Sequence, residues 1–113
     1  MLTVQNLKEF GANVEEGLQR CYGNEALYIR LCGTIPTEKK FDELAAAIEA
    51  KDLDTAFDTA HALKGVLGNL CLSPMYEKVV DITEYLRART DMDYSKKIAD
   101  ILADRDRLRN IAE

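Results

Sequence analysis

The one histidine of the 113-residue chain, His61, lies inside the stretch Asp52–Leu72, DLDTAFDTAHALKGVLGNLCL. At about 100° per residue, Leu53, Ala56, Ala60, Leu63, Leu67 and Leu70 fall on one stripe of a helix. His61 projects roughly 100° from the centre of that stripe, on its flank. Lys64 follows one turn later, and Gly65 and Gly68 lie at i+4 and i+7 on the same flank. A glycine inside a helix costs about 1 kcal/mol relative to alanine. Neither glycine is at a helix end, so capping does not account for them. Their shared effect is to leave room beside the imidazole for a partner's backbone or for a group the size of a phosphoryl.

Chemistry follows from that grouping. A neutral imidazole is a competent nucleophile near neutral pH. The phosphohistidine it forms is anionic, and an ammonium one turn away stabilises it. Taken singly, each residue has a plain structural reading: a half-exposed histidine, glycines at a close helix contact, a solvated lysine. Their joint placement on one face favours a reversible phosphoryl carrier. Phe57 sits at the edge of the apolar stripe and is expected chiefly in the core, with an apolar docking patch as the alternative. Asp54 and Asp58 are read as a docking rim or as solvated groups; no carboxylate cluster suited to magnesium surrounds His61.

The elements needed to position this face are helical. Asn13 with Glu16 resembles a capping box, and Gly23 is placed to close that helix. Asn24 opens the next, through Leu27, Ile29 and Leu31. Thr37, after Pro36, is expected to cap a helix whose stripe is Phe41, Leu44, Ala45 and Ile48. Asp52 caps the long helix, expected to run to about Leu72. Ser73 as cap with Pro74 at the first helical position opens another, carrying Val79, Ile82 and Leu86 inward. Thr90–Asp93 is a polar break before a last helix with Tyr94, Ile98, Ile101, Leu102, Leu108 and Ile111. No segment alternates long enough for a strand. The expected fold is all-α: an antiparallel four-helix bundle with short additional N-terminal helices, one domain over residues 1–113.

The string Ala60-His61-Ala62-Leu63-Lys64-Gly65, continuing to Gly68-Asn69-Leu70, resembles the phosphoacceptor signature of histidine-containing phosphotransfer (HPt) domains. Val14–Cys32 is similar to the family's N-terminal helices, and Phe41–Asp54 to the helix that leads into the phosphoacceptor helix. The resemblance implies a bundle that takes a phosphoryl group from the aspartate of a response-regulator receiver domain, or from a hybrid sensor histidine kinase, and passes it to another receiver. It implies that His61 is the phosphoacceptor, that Lys64 supports the phosphate and that Gly65 leaves room beside the ring. The chain would need no cofactor of its own, with Mg2+ expected on the receiver. Two departures stand out: Cys71 occupies a position where the family often has glycine, and the polar residue often found near the phosphate on the following helix has no motif here, leaving Thr83 and its neighbours unassigned.

Composition narrows the alternatives. At 47% hydrophobic and 31% charged, the chain can bury a core and wet its surface. Arg87, Arg89, Arg105, Arg107 and Arg109 interleave with Asp91, Asp93, Asp100, Asp104 and Asp106, within a net charge of −5. That alternation reads as a solvated helix face and disfavours nucleic acid. No apolar run approaches the roughly 20 residues of a membrane span, and the start MLTVQNLKEF lacks the pattern of a signal peptide. Cys21, Cys32 and Cys71 read as buried small hydrophobes in a reducing compartment. A cytoplasmic, monomeric protein is expected; Met1 and the compact length favour a free-standing protein, with the excised end of a hybrid sensor kinase as the alternative. The phosphate loop GxxxxGK[ST] is absent, so a self-sufficient kinase is not expected. The alternative function is a non-catalytic helical docking module for receiver or kinase domains; a metal- or haem-holding bundle is disfavoured by a single histidine off the core face.

Overall fold

Every helix expected from apolar periodicity forms in the computed structural model, which describes residues 1–113. The order is α1 (Val4–Phe10), α2 (Val14–Arg20), α3 (Glu25–Gly33), a 3-10 turn (Ile35–Thr37), α4 (Lys40–Glu49), α5 (Leu53–Asn69), α6 (Ser73–Arg87) and α7 (Ser95–Ala112). The last four helices form the antiparallel bundle. Gly68 meets Tyr76 and Phe57 meets Arg87 across the α5–α6 pair, so the two helices run in opposite directions. Lys97 reaches Asp81 at 2.6 Å and Asp104 accepts from Lys78 at 2.7 Å, fixing α7 against α6 in the same sense. Arg105 closes the ring from α7 to Asp42 of α4 at 2.9 Å.

The apolar stripes meet in one continuous core of 25 buried residues, to which α5 contributes Ala56, Ala60, Leu63 and Leu67, all with no exposed surface. Asn13, Asn24 and Asp52 cap α2, α3 and α5, each side chain accepting from the backbone N–H three residues on. Gly23 closes the α2 end with φ +75° and an N–H donated to the Leu18 carbonyl.

Three helix boundaries differ from expectation. Thr37 does not cap α4: it ends the 3-10 turn, its hydroxyl donates to the Thr34 carbonyl at 3.2 Å, and α4 begins at Lys40 without a side-chain cap. The burial of Ile35 and Pro36 holds that tighter turn against the core. Ser73 is the first residue of α6 and Leu72 its cap, so Pro74 falls one position later than expected. Helix α5 stops at Asn69, short of Leu72, because Cys71 takes the left-handed conformation at φ +54°.

The arginines of α7 depart from the solvated-face reading only in part: Arg107 and Arg109 are exposed, and Arg105 is buried. Arg105 is 9% exposed; burial works against its charge, and the ion pairs with Asp42 and Asp106 outweigh that and hold its pKa above the ordinary value. Arg107 lies 4.2 Å from the centre of the Phe10 ring and donates to the Phe10 carbonyl. Arg109 donates to the Pro36 carbonyl at 2.8 Å. Arg107 and Arg109 thus tie α7 to the chain preceding α4, and Arg105 ties it to α4 itself.

That preceding segment is anchored at the end of α5. The Tyr28 hydroxyl donates to the Leu70 carbonyl at 2.8 Å, and the Asn13 N–H donates to the Cys71 carbonyl at 2.9 Å. Tyr28 fits because residue 17 is glycine: a Cβ there would lie 2.4 Å from the Tyr28 ring. Helix α2 is thereby held beside the last turns of α5.

Candidate phosphoacceptor site

His61 lies in the middle of α5, exposed, while its neighbour Ala60 is fully buried. The helix therefore offers the imidazole to solvent from a backbone fixed by core packing. Its ring stacks on that of Phe57, one turn earlier, with centroids 5.8 Å apart and planes inclined by 28°. Phe57 is half-buried, packed against the core on one side and meeting the imidazole on the other, so the core assignment describes only part of its surface.

Two guanidiniums reach the same Phe57 ring from the end of α6. Arg87 and Arg89 each lie 5.0 Å from its centre. Arg89 is oriented by Asp54, whose carboxylate accepts from its Nε at 2.6 Å, and Arg87 pairs with Glu84 at 3.4 Å. Asp54 is thus engaged in holding an arginine rather than standing free at the rim. Sequence spacing on one helix did not reveal this cluster, because it depends on the register between α5 and α6.

On the other side of His61, Lys64 is half-buried and Gly65 is exposed. They open onto a cleft of about 380 Å³ whose lining also includes Gly68, Asn69, Cys71, Ser73 and Tyr76, with Glu16 and Arg20 of α2 forming the far wall. The two glycines differ in what they leave room for. A Cβ at Gly65 would meet nothing within 4 Å; one at Gly68 would come 3.0 Å from the Tyr76 ring. Gly65 is open space one turn from His61, whereas Gly68 accommodates an aromatic side chain from α6.

Thr83, left unassigned by the motif, is fully buried and donates its hydroxyl to the Val79 carbonyl, so it turns away from the face of His61. All three cysteines are free and buried. Burial raises the pKa of Cys71, helped by Glu16 and opposed by Arg20, so the cleft holds a thiol and not a thiolate at neutral pH. Burial likewise pushes Cys32 up to about 11. No three His, Cys, Asp or Glu side chains converge as a metal site, and no helix is long and apolar enough to cross a membrane.

Comparison with known families places this arrangement. A family model described as the Hpt domain matches residues 37–111, which covers α4 to α7 and the whole His61 face. The chain belongs to the Hpt domain family, whose members carry phosphoryl groups in phosphorelays. No curated protein and no solved structure matches the chain significantly.

Proposed function

We propose that the chain is a phosphorelay intermediate in two-component signalling that accepts a phosphoryl group on His61 from a receiver-domain aspartate, or from a hybrid sensor histidine kinase, and hands it to another receiver. The observation that carries this reading is an exposed imidazole on a rigid helix, with Lys64 and the bare Gly65 beside it and Phe57 against its ring. The unprotonated ring nitrogen attacks the acyl phosphate in line, a P–N bond forms as the P–O bond to the aspartate breaks, and the aspartate leaves as a carboxylate. Lys64 faces the charge that arrives with the phosphoryl group. Phe57 restricts the tilt of the imidazole, so the nucleophile is presented in few orientations. The receiver supplies the divalent cation; this chain supplies position and charge. It acts as a monomeric carrier in the cytoplasm, a substrate of phosphoryl transfer at both ends rather than a kinase.

The test is labelling of this chain by a phosphorylated receiver domain, with wild type and His61→Gln in parallel. The label is expected on wild type alone and to be lost in acid but kept in base, as a phosphoramidate is. Equal labelling of both proteins overturns His61 as the acceptor, and no label on folded wild type across a panel of receivers overturns the reading in favour of a docking module without chemistry.

A further inference from the structure

Residues 1–36 lie outside the matched family segment, yet they build one wall of the cleft that opens beside Lys64 and Gly65. We propose that α2 is a partner-selecting wall of the docking surface, on which Arg20 acts with Lys64 to receive an acidic side chain of the receiver domain that charges His61. This rests on the relay reading above and adds to it a residue and a partner chemistry.

Charge is the first argument. The charged groups lining the cleft are Glu16, Arg20 and Lys64, two cations against one carboxylate, in a chain whose net charge is −5. Lys64 forms no ion pair. Arg20 engages Glu16 through one terminal nitrogen at 3.1 Å, and a guanidinium has five N–H donors, so it has donors left to offer. The Arg20 side chain is 50% exposed, held in place and still open to a partner. Glu16 works as a splint: it accepts from Arg20 through one oxygen and from Asn13 Nδ2 through the other, at 3.3 Å.

Rigidity is the second. Helix α2 is fixed to the end of α5 by the Asn13–Cys71 backbone bond, and its Gly17 seats the Tyr28 ring whose hydroxyl bonds the Leu70 carbonyl. Arg20 therefore keeps a set position relative to Lys64 and His61. Continuity is the third: Lys64 and Gly65 belong both to the His61 face and to the cleft, so a receiver seated on His61 lies at the mouth of the cleft that Arg20 lines. The positive balance of the cleft lining is complementary to a carboxylate on the docking receiver.

The experiment uses the full chain and a receiver domain charged with acetyl phosphate, with the initial rate of His61 labelling followed against receiver concentration. Arg20→Glu is expected to raise the half-saturating concentration roughly five- to tenfold, with the maximal rate changing little, because a rim charge acts on encounter and docking. Arg20→Lys is expected to restore most of the loss, and added salt is expected to weaken wild type more than Arg20→Glu. Far-UV circular dichroism checks that each variant is folded. An unchanged half-saturating concentration in folded Arg20→Glu overturns the proposal, as does a fall confined to the maximal rate. If wild type itself takes no label from any receiver tried, the relay reading fails first and this proposal falls with it.

Discussion

Gly65 and Gly68 look equivalent in sequence, two small residues on the flank of His61, and packing divides them. The Tyr76 ring fills the space beside Gly68, while nothing comes within 4 Å of a Cβ at Gly65. A side chain at residue 65 thus costs the fold nothing and obstructs only what approaches from outside. Gly65→Leu is expected to be at least as stable as wild type, since leucine is better in a helix interior by roughly 0.8 kcal/mol. It is expected to lose about tenfold or more of receiver-driven labelling through steric obstruction of the reacting geometry. Denaturant unfolding beside the labelling rate checks both halves; a stable variant with normal transfer would remove the case for cleared space. His61, Lys64 and Gly65 were legible in sequence because one helix brings them together at fixed angles. Phe57 was legible only as a stripe-edge residue, and Arg87, Arg89, Arg20 and Tyr76 were not assigned to the site. Their approach depends on α5–α6 register and on where α2 is anchored, which periodicity within one helix does not encode.

The helix ends share a device that composition hides. Tyr22, Lys51, Cys71 and Arg89, each just past the C-cap of α2, α4, α5 and α6, have φ between +52° and +59°. The N–H one residue later returns to a carbonyl inside the helix in each case: Gly23 to Leu18, Asp52 to Ala47, Leu72 to Leu67 and Thr90 to Tyr85. These are Schellman-type ends built on non-glycine residues. Cys71, where the family often has glycine, follows the same backbone path, so the departure changes the side chain and not the turn. Lys51 offers the cleanest measurement because it is exposed. Lys51→Gly is expected to stabilise the fold by about 1 kcal/mol, by relieving the left-handed penalty of a residue with a Cβ. Chemical denaturation measures it, and a loss of stability would show that the lysine side chain does more at that end than its exposure indicates. Helix starts were more legible than helix ends: Asn13, Asn24 and Asp52 announce themselves as caps, whereas Thr37 and Ser73 satisfy the same residue preference yet spend their hydroxyls on preceding carbonyls.

At the scale of the molecule, the match to the family begins at residue 37, but the core does not. Leu2, Leu7, Phe10, Ala12, Val14, Cys21, Tyr28, Cys32 and Ile35 supply nine of its 25 buried residues. The α7 arginines reach back over the same boundary, Arg107 to Phe10 and Arg109 to Pro36, and the N-terminal amine donates to the Ile111 carbonyl at 3.3 Å. Removing residues 1–36 strips these contacts together: it uncovers the end of α5 at Leu70, frees two arginines and exposes the side of the core that α1 and α3 cover. Small domains have little stability to spare, about 5–15 kcal/mol in all, and a single fully buried large apolar side chain contributes roughly 1.5–3 kcal/mol. The deletion also removes the ordering cost of its own residues, so what counts is the cover lost over α4 to α7, whose apolar faces are then left in water against that small reserve. The fragment 37–113 is therefore expected to show no cooperative thermal transition by circular dichroism, where the full chain shows one. A fragment that melts cooperatively within a few degrees of the full chain would mean that the bundle is self-sufficient and that α1 to α3 are appended to it. The expected outcome joins stability to the proposed selection: the helices that complete the core are those that hold Arg20 in the cleft it shares with Lys64, so a change that loosens α2 is expected to affect partner docking before it unfolds the bundle.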